Sequence, residues 1–388
     1  MATIKPMDLG EIFRVGYSES YLIKNKNTVL GEFEWSRDGN DVMLTEDYGL
    51  PFFISSKLDM WIANRTPPKH RAFMDRLLAE MQLSSTKAII DYSKGLALTD
   101  TLWVVPKSST LTWEQVSLFR TDFDETIAKI AFDGGVYGRK FSTTSPEFGT
   151  DGMLPKCWVR RNGKIQLIKG GLSGAYNAGH EPASEVMSHQ VLERLGYTHT
   201  AYSMETRMRL SEFSKKPERY GVSCCDLFTD ESTMLLPIHV FFKFDSMKEL
   251  IEEAAKVDLA PDLARIMVFD YLSLNSDRHA GNIGVLLDAD TFELKSLAPI
   301  YDNGYGMLAQ WMPDMSYVDY ERPRTPRLYN SFENGAIWGK RILGNQHNVE
   351  RLIDFNIDRS QLLLETDERI DGIEKWFKDR VRKFMSLK

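Results

Sequence analysis

The sequence predicts an α+β protein with two lobes, a β-rich N-terminal lobe followed by a mostly helical C-terminal lobe. Residues 1–133 predict a mixture of hairpin and helices, strand patterns begin at about residue 134, and helical patterns dominate after residue 236. The chain has 388 residues, of which 43% are hydrophobic and 27% charged, enough for two or three lobes with ordinary cores. We divide it into a mixed supporting region (1–133), an N-lobe (134–235) and a helical C-lobe (236–388).

Bulk composition excludes several classes of protein. A formal net charge of −7 argues against general nucleic-acid binding, which usually requires a basic surplus. Cys157, Cys224 and Cys225 are too few and too poorly spaced for a disulfide framework, and we expect reduced thiols. The N-terminus lacks a signal-peptide pattern, and the longest apolar stretch is short and interrupted by Pro237. We therefore expect a cytoplasmic protein without a membrane span.

The first region carries structural signals but no chemical motif. The stretch TVLGEFEWSRDGNDVMLTE predicts a hairpin that turns at Asp38-Gly39. A helix is predicted from an N-cap at Thr66, with prolines in its first turn. A shorter helix, STKAIIDYSKG, should end at Gly95. The apolar stripe of the first of these helices consists of Phe73, Leu77, Leu78 and Met81.

The second region predicts a hairpin, a helix and a strand. Asn162-Gly163 should turn the chain between CWVRR and KIQLIKG. The helix EPASEVMSHQVLERLG has Pro182 in its first turn and Gly196 at its end. The strand HTAYSMETRMRL follows it. This region should thus be a small sheet with one helix.

The third region predicts helices that lead into a second hairpin. Ser246 and Glu249 form a capping-box pattern at the start of SMKELIEEAAK. The strongly apolar helix PDLARIMVFDYLSLN then delivers the chain to Asp277. The strands IGVLL and FELKSLAPIYD follow, joined by a turn at Ala289-Asp290.

Three oxygen-bearing side chains should meet at one end of this hairpin. Asp277 and Asn282 precede its first strand and Asp302 follows its second, so the turn brings them to the same end. Carboxylate and amide oxygens suit a hard divalent cation such as Mg²⁺. A carboxylate beside the metal can also accept a proton from an attacking hydroxyl. The set therefore predicts a phosphoryl-transfer site.

Parts that would hold a nucleotide occur upstream, in the order that such a site requires. EFGTDGMLPK offers a phosphate loop whose small residues let backbone amides approach phosphates. The following arm ends in LIKGG, which places Lys169 on a strand. Glu181 or Glu185 on the next helix could pair with this lysine, and we favour Glu185 because it lies inside the helix. Each feature alone has a simpler explanation, such as a turn or a solvated charge, but their order across five elements favours a kinase. The loop candidates are Gly149, Thr150, Asp151 and Gly152.

The segments NSDRHAGNIGV…LAPIYDNG and TDGMLPKCWVRRNGKIQLIKGG…EPASEVMSHQVLERLG resemble the HipA-type atypical serine/threonine kinases. The resemblance covers roughly residues 134–310 and is much weaker before them. It implies a protein-kinase-like fold that uses ATP and Mg²⁺. By this resemblance Asp277 is the catalytic base, Asn282 and Asp302 hold magnesium, Lys169 binds the ATP phosphates and Glu185 positions the lysine.

The same resemblance implies transfer of the ATP γ-phosphate to a serine or threonine of a protein, including the chain itself. Candidate self-phosphorylation residues in or near the phosphate loop are Ser142, Thr143, Thr144, Ser145 and Thr150. His279 either orients the catalytic loop or is a structural imidazole. GVSCCDLFTDES is the candidate hinge for adenine. Asp302 is followed by Asn303-Gly304 and not by Phe-Gly, so activation-loop regulation of the eukaryotic type is not implied.

The residues leave other functions open. A small-molecule or lipid kinase would use the same catalytic set, and the acceptor pocket has no sequence signature. The chain could instead be a nucleotide-binding toxin–antitoxin regulator with little turnover, and an antitoxin-like partner is a further expectation of the resemblance. Transfer of adenylate from ATP is a third alternative.

Overall fold

The computed structural model describes residues 17–68, 71–134, 145–205, 221–329, 331–362 and 365–388. By its contacts the chain forms two compact units. The first comprises Met1–Met153 with Asp230–Ser232, and the second comprises Leu154–Thr229 with Thr233–Lys388. The three-region division at residues 133 and 235 stays a prediction.

The first unit contains a four-stranded antiparallel sheet in the order β3-β2-β1-β4. Its inner face is aromatic: the rings of Tyr21, Phe33 and Trp35 are buried and contact one another. The predicted hairpin is present as β2 and β3. The strands are β1 (Tyr17–Asn25), β2 (Thr28–Ser36), β3 (Val42–Asp47) and β4 (Leu102–Pro106).

Short helices complete the first unit. The Ser85 side chain caps the helix Thr86–Ser93 by accepting a hydrogen bond from the Ala88 N–H. This helix ends just before Gly95, which has a φ of +60°. A 3₁₀ helix spans Pro146–Gly149. The α-helices are α1 (Phe52–Ser55), α2 (Leu58–Ala63), α3 (Met74–Glu80), α4 (Thr86–Ser93), α5 (Trp113–Val116) and α6 (Glu125–Asp133).

The helix predicted to begin at Thr66 is shorter than expected and begins at Met74. Thr66 does not cap it, because both its N–H and its hydroxyl donate to the Ala63 carbonyl at the end of α2. Phe73 has a φ of +64°, outside the helical region. Arg71 instead forms an ion pair with the Glu147 carboxylate, and both side chains are fully buried. Tertiary burial of a charge pair thus overrides the helical pattern.

The second unit contains two sheets, in the orders β5-β6-β8-β7 and β11-β10-β9. Asn162 and Gly163 both have positive φ, as a tight two-residue hairpin turn requires, so the predicted β5–β6 hairpin is present. The second predicted hairpin is present as β10 and β11. The strands are β5 (Lys156–Arg161), β6 (Lys164–Lys169), β7 (Tyr202–Glu205), β8 (Val222–Asp226), β9 (Thr233–Pro237), β10 (Gly284–Asp288) and β11 (Leu294–Leu297).

Helices supply most of the rest of the second unit. The apolar helix α10 packs on α12, where Gly339 permits close approach, since an added Cβ would lie 2.7 Å from Val268 Cγ2. Short 3₁₀ helices span Gly344–His347, Val349–Leu352 and Arg359–Gln361. The α-helices are α7 (Glu181–Leu195), α8 (Ile238–Phe241), α9 (Met247–Ala255), α10 (Ala260–Ser273), α11 (Tyr317–Glu321), α12 (Phe332–Leu343) and α13 (Asp367–Ser386). None of the helices in the described parts of the chain is long and apolar enough to cross a bilayer.

Candidate active site

Lys169, the last residue of β6, lies at the centre of the candidate site. Its Nζ is 2.9 Å from Glu185 Oε1 on α7 and 2.8 Å from Asp302 Oδ1. The lysine side chain is only 8% exposed. Burial would lower the pKa of Lys169, but the Asp302 and Glu185 carboxylates outweigh burial and raise that pKa well above its ordinary value. The ammonium group is therefore charged and fixed between two carboxylates.

The two helix glutamates have separate partners. Glu185 uses both oxygens, since Oε1 accepts from Lys169 and Oε2 accepts from the Asn303 N–H at 2.8 Å. Glu181 Oε2 instead accepts from the Leu172 N–H at 3.0 Å and secures the turn after β6. Lys169 therefore contacts Glu185 and not Glu181. Burial raises the pKa of Glu185, although the Lys169 charge opposes that rise.

Tyr202 on β7 also belongs to this cluster, and the sequence analysis missed it. Its hydroxyl is 3.5 Å from Lys169 Nζ and accepts from the Asp302 N–H at 3.3 Å. Lys169 Nζ lies 5.4 Å from the centre of the Tyr202 ring. The predicted strand HTAYSMETRMRL contained this tyrosine, but nothing in the strand pattern indicates which strand it pairs with.

Asp302 is placed by an unusual backbone conformation. Its φ is +58°, a left-handed geometry that Asp and Asn tolerate better than most other residues. Burial would raise the pKa of Asp302, but the positive charges of Lys169, Lys156 and Arg278 outweigh it and lower that pKa below its ordinary value. Asp302 is accordingly an anion at neutral pH, and its side chain is 39% exposed.

Lys156 is a second lysine beside this site, and it was also missed. It lies on β5 directly opposite Lys169 on β6. Side chains directly opposite in an antiparallel pair point to the same face of the sheet. The signal was present in the sequence, because a two-residue turn at Asn162-Gly163 fixes this pairing.

The loop after α10 carries Asp277 and Asn282. Asp277 is half-buried, and its Oδ1 is 3.0 Å from Arg327 Nη1. Burial raises the pKa of Asp277, Arg327 opposes the rise and the negative charge of Asp302 adds to it. The Asn282 side chain donates from Nδ2 to the Asp277 carbonyl at 3.4 Å, so its amide oxygen is the atom it can offer to a cation.

A buried arginine joins this loop to the residues around Asp302. Arg278 is fully buried and forms an ion pair with Asp270 on α10 at 3.1 Å. Its other nitrogens donate to the Tyr301 carbonyl at 2.8 Å and to Asn303 Oδ1 at 2.5 Å. A further bond at 3.1 Å reaches the carbonyl of Asn282. Arg278 thus fixes both segments that carry the oxygen ligands, a role that the sequence analysis did not assign.

His279 has contacts within its own loop. Its Nδ1 accepts from the Gly281 N–H at 3.0 Å, and its carbonyl accepts from the Asn282 N–H at 2.9 Å. Both bonds shape the turn that leads to Asn282. The role of His279 in orienting the catalytic loop for the nucleotide stays a prediction.

The phosphate-loop candidates belong to the first unit. Gly149 ends the 3₁₀ helix, and a Cβ on it would lie 2.7 Å from the Leu96 carbonyl, so its small size serves local packing. The Thr150 hydroxyl donates to the Pro146 carbonyl at 2.7 Å. The Asp151 side chain accepts from the Gly152 N–H at 2.7 Å. Phosphate binding by these four residues stays a prediction.

The sequence also indicated candidate self-phosphorylation residues and a candidate hinge for adenine. Ser142, Thr143 and Thr144 are outside the described residues, whereas Ser145 is buried and its hydroxyl accepts from the Glu147 N–H. The hinge candidate contains β8, which pairs with β6 and β7. The phosphorylation site and the hinge therefore stay predictions.

The donor set fits a hard divalent cation. Asp302 offers an ionised, partly exposed carboxylate, and Asn282 offers an amide oxygen. Oxygen donors of these two kinds are the ones that Mg²⁺ takes in proteins. Lys169 contacts Oδ1 of Asp302, and Asp302 and Asn282 are the residues that would hold the ion.

Comparison with known proteins places this site in a known fold. No protein-family model and no curated protein sequence matches the chain. The HipA chain from the Shewanella oneidensis MR-1 toxin–antitoxin complex of HipA, HipB and operator DNA is similar in structure. It is 15% identical with a TM-score of 0.55, and the match covers 95% of this chain and 98% of that chain.

Two kinase structures match less well. The Helicobacter pylori proinflammatory kinase CtkA is 15% identical with a TM-score of 0.43, covering 63% of this chain and 91% of its own. A Golgi casein kinase with Mn/ADP bound is 13% identical with a TM-score of 0.32, covering 61% and 71%. The fold assignment rests on the HipA match: the chain has the fold of that HipA chain, with a β-rich N-terminal region and a helical C-terminal region as the sequence predicted.

Proposed function

We propose that the chain is an ATP-dependent serine/threonine protein kinase of HipA type that phosphorylates itself. The observation that carries this proposal is the position of Lys169, whose ammonium group contacts both Glu185 and Asp302. A strand lysine paired with a helix glutamate and placed beside an acidic metal ligand is the arrangement that kinases use to hold ATP phosphates.

Each residue of the site has a defined task in this proposal. Lys169 neutralises the α- and β-phosphates, and Glu185 and Tyr202 hold its side chain in place. Asp277 orients the acceptor hydroxyl and accepts its proton as the oxygen attacks the γ-phosphorus. The bond from the γ-phosphorus to the β–γ bridging oxygen breaks, and ADP leaves with that electron pair. Asn282 and Asp302 would hold Mg²⁺, which when bound neutralises charge on the phosphate oxygens. Arg278 keeps Asn282 and the segment around Asp302 in register.

The proposal also includes a protein partner. The Shewanella HipA is described in complex with HipB and its operator DNA. We extend this to an antitoxin-like protein partner for the present chain. A small-molecule or lipid acceptor would need the same catalytic residues, so the experiment must separate acceptors as well as activity.

Intact-mass spectrometry after incubation with ATP and Mg²⁺ tests the proposal. We expect the wild type to gain whole phosphates, and Asp277→Asn and Asp302→Asn to gain none. Asp314→Asn changes an exposed aspartate in the same unit and should behave like the wild type. An EDTA-treated sample should also gain no mass.

Other outcomes would replace the proposal with a different function. A gain of adenylate would indicate nucleotidyl transfer from the same site. ATP consumption without protein modification would indicate a small-molecule or lipid acceptor. An unchanged mass together with no ATP binding by calorimetry would contradict a phosphotransferase of any kind.

A further inference from the structure

Two histidines and a glutamate form a compact cluster on α7 and the segment after it. His189 and Glu193 lie four residues apart and therefore on the same face of the helix. His189 Nδ1 is 2.8 Å from His199 Nε2, and that nitrogen is 3.8 Å from Glu193 Oε2. The potential ligand atoms of all three side chains lie within 4.8 Å of one another.

The hydrogen bonds of His199 determine which of its nitrogens can bind a cation. His199 Nδ1 is 2.7 Å from the Tyr197 carbonyl, which can only accept a hydrogen bond. The proton of the neutral ring is therefore on Nδ1, and Nε2 carries the lone pair. An imidazole N–H bonded to a backbone carbonyl, with the other nitrogen free to coordinate, is the usual arrangement of metal-binding histidines.

The surrounding backbone holds His199 in this position. The Thr200 N–H donates to the Ile300 carbonyl at 2.9 Å, and the Ile300 N–H donates to the Thr198 carbonyl at 3.0 Å. The His199 side chain is only 6% exposed, whereas that of Glu193 is 74% exposed. One ligand is thus fixed in advance, and another can move to complete the coordination.

We propose that His189, Glu193 and His199 form a binding site for a divalent transition metal of the zinc class. Two imidazole nitrogens and one carboxylate are a common ligand set for Zn²⁺, and hard cations such as Mg²⁺ prefer oxygen donors. In the metal-free protein His189 Nδ1 donates to His199 Nε2. Metal binding therefore moves the His189 proton to Nε2, and tetrahedral coordination separates the two ligand nitrogens to about 3.3 Å. Both histidines line a cavity of about 560 Å³, which has room for a water molecule as fourth ligand.

The location of this cluster gives metal binding a structural consequence. His189 is one helical turn after Glu185 on α7, and the segment that carries His199 is bonded to Ile300, two residues before Asp302. A bound metal would cross-link the helix to that segment. The inference does not depend on the proposed kinase activity, because it concerns binding and stability alone.

Zinc titration of the full chain tests the site. Metal-free protein would be titrated with Zn²⁺ by calorimetry, and with Co²⁺ by visible absorption. We expect one Zn²⁺ per chain, the intense visible bands of tetrahedral Co²⁺ and a higher Tm with Zn²⁺. His189→Gln and His199→Gln should each weaken Zn²⁺ binding at least about tenfold.

Two further variants separate metal binding from folding. Glu193→Gln changes an exposed side chain, so it should weaken Zn²⁺ binding while the Tm of the metal-free protein stays the same. His239→Gln alters an exposed histidine outside the cluster and should bind Zn²⁺ like the wild type. Zinc binding that His189→Gln and Glu193→Gln leave unchanged, or no binding to the wild type, would show that the contact is only a hydrogen bond between imidazoles.

Discussion

Lys169 and Asp302, 133 residues apart in the chain, form a direct ion pair in which Nζ lies 2.8 Å from Oδ1. Lys169 is the last residue of β6, and Asp302 follows the β10–β11 hairpin. This ion pair therefore joins the lysine strand to the segment that carries the proposed metal ligand. Glu185 completes a triad in which one cation is shared by two anions. The charge balance of this triad has consequences for stability as well as for ATP binding.

Removal of Lys169 should destabilise the protein because it leaves Glu185 without a cation. The Glu185 side chain is only 2% exposed, and breaking such a buried pair costs about 3 kcal/mol or more. We therefore expect Lys169→Met to lower the free energy of unfolding by about 3 kcal/mol in urea. The double variant Lys169→Met/Glu185→Gln should recover a large part of this loss. Additive losses from the two substitutions would contradict a coupled pair.

Substitutions of Asp302 should separate its charge from its backbone conformation. At a φ of +58° alanine is strained, whereas asparagine adopts this conformation readily and keeps the shape of the side chain. We expect Asp302→Ala to be about 1 kcal/mol less stable than Asp302→Asn by urea unfolding, with both lacking ATP-dependent mass gain. Equal stability of the two variants would show that the left-handed geometry has no cost here.

The sequence predicted local structure well and long-range contacts only in part. The Asn162-Gly163 turn determined the β5–β6 register, and the apolar pattern before Asp277 predicted α10. The helix expected from Thr66 was wrong in its start, because burial of Arg71 with Glu147 depends on a residue distant in sequence. Local patterns carry the energetics of turns, caps and amphipathic faces, but not those of charge pairs formed across the fold.

The same limit applies to the candidate site. Order along the chain brought together Lys169, Glu185 and Asp302 as candidates, and the structure places them in contact. Tyr202 and Arg278 were missed because much of their importance comes from contacts with backbone groups of Asn282, Tyr301 and Asp302. Nearly every residue carries the same backbone carbonyl and N–H groups, so no sequence motif indicates which of them a side chain will bond.

Arg278 should tolerate no substitution, even by lysine. Its planar guanidinium donates in several fixed directions at once, to Asp270, Asn303 and two carbonyls, and an ammonium group cannot reach all of them. We expect Arg278→Lys to lower the free energy of unfolding by about 2 to 3 kcal/mol, since buried acceptors lose their donors. Arg341→Lys, at an exposed position on α12, should change it by less than about 0.5 kcal/mol.

Arg327 should tune the pH dependence of catalysis through Asp277. Its guanidinium lowers the pKa of Asp277, against the effects of burial and of Asp302. Arg327→Ala should therefore raise the pKa of Asp277. Because Asp277 must be ionised to accept a proton, this rise should shift the acidic limb of the pH–rate profile to higher pH. Arg327 is 61% exposed, so we expect a shift of about half a pH unit at low salt and less at high salt.

The control for this pH effect is another exposed arginine near the same segment. Arg322→Ala should leave the profile of ATP-dependent phosphorylation in place. If both variants shift the acidic limb equally, the shift results from the general surface charge and not from the contact between Arg327 and Asp277. If neither shifts it, a group other than Asp277 controls the acidic limb.

Lys156 should contribute to nucleotide binding although it belongs to no known motif of the chain. It faces Lys169 across the hairpin, is 7% exposed and lowers the pKa of Asp302, so its charge acts within the site. We expect Lys156→Met to weaken Mg²⁺–ATP binding about tenfold by calorimetry, which corresponds to about 1.4 kcal/mol. Lys164→Met removes an exposed lysine at the turn end of the same β5–β6 hairpin and is the matched control. Equal ATP affinities of the two variants, with unchanged Tm, would show that the Lys156 charge does not reach the phosphates.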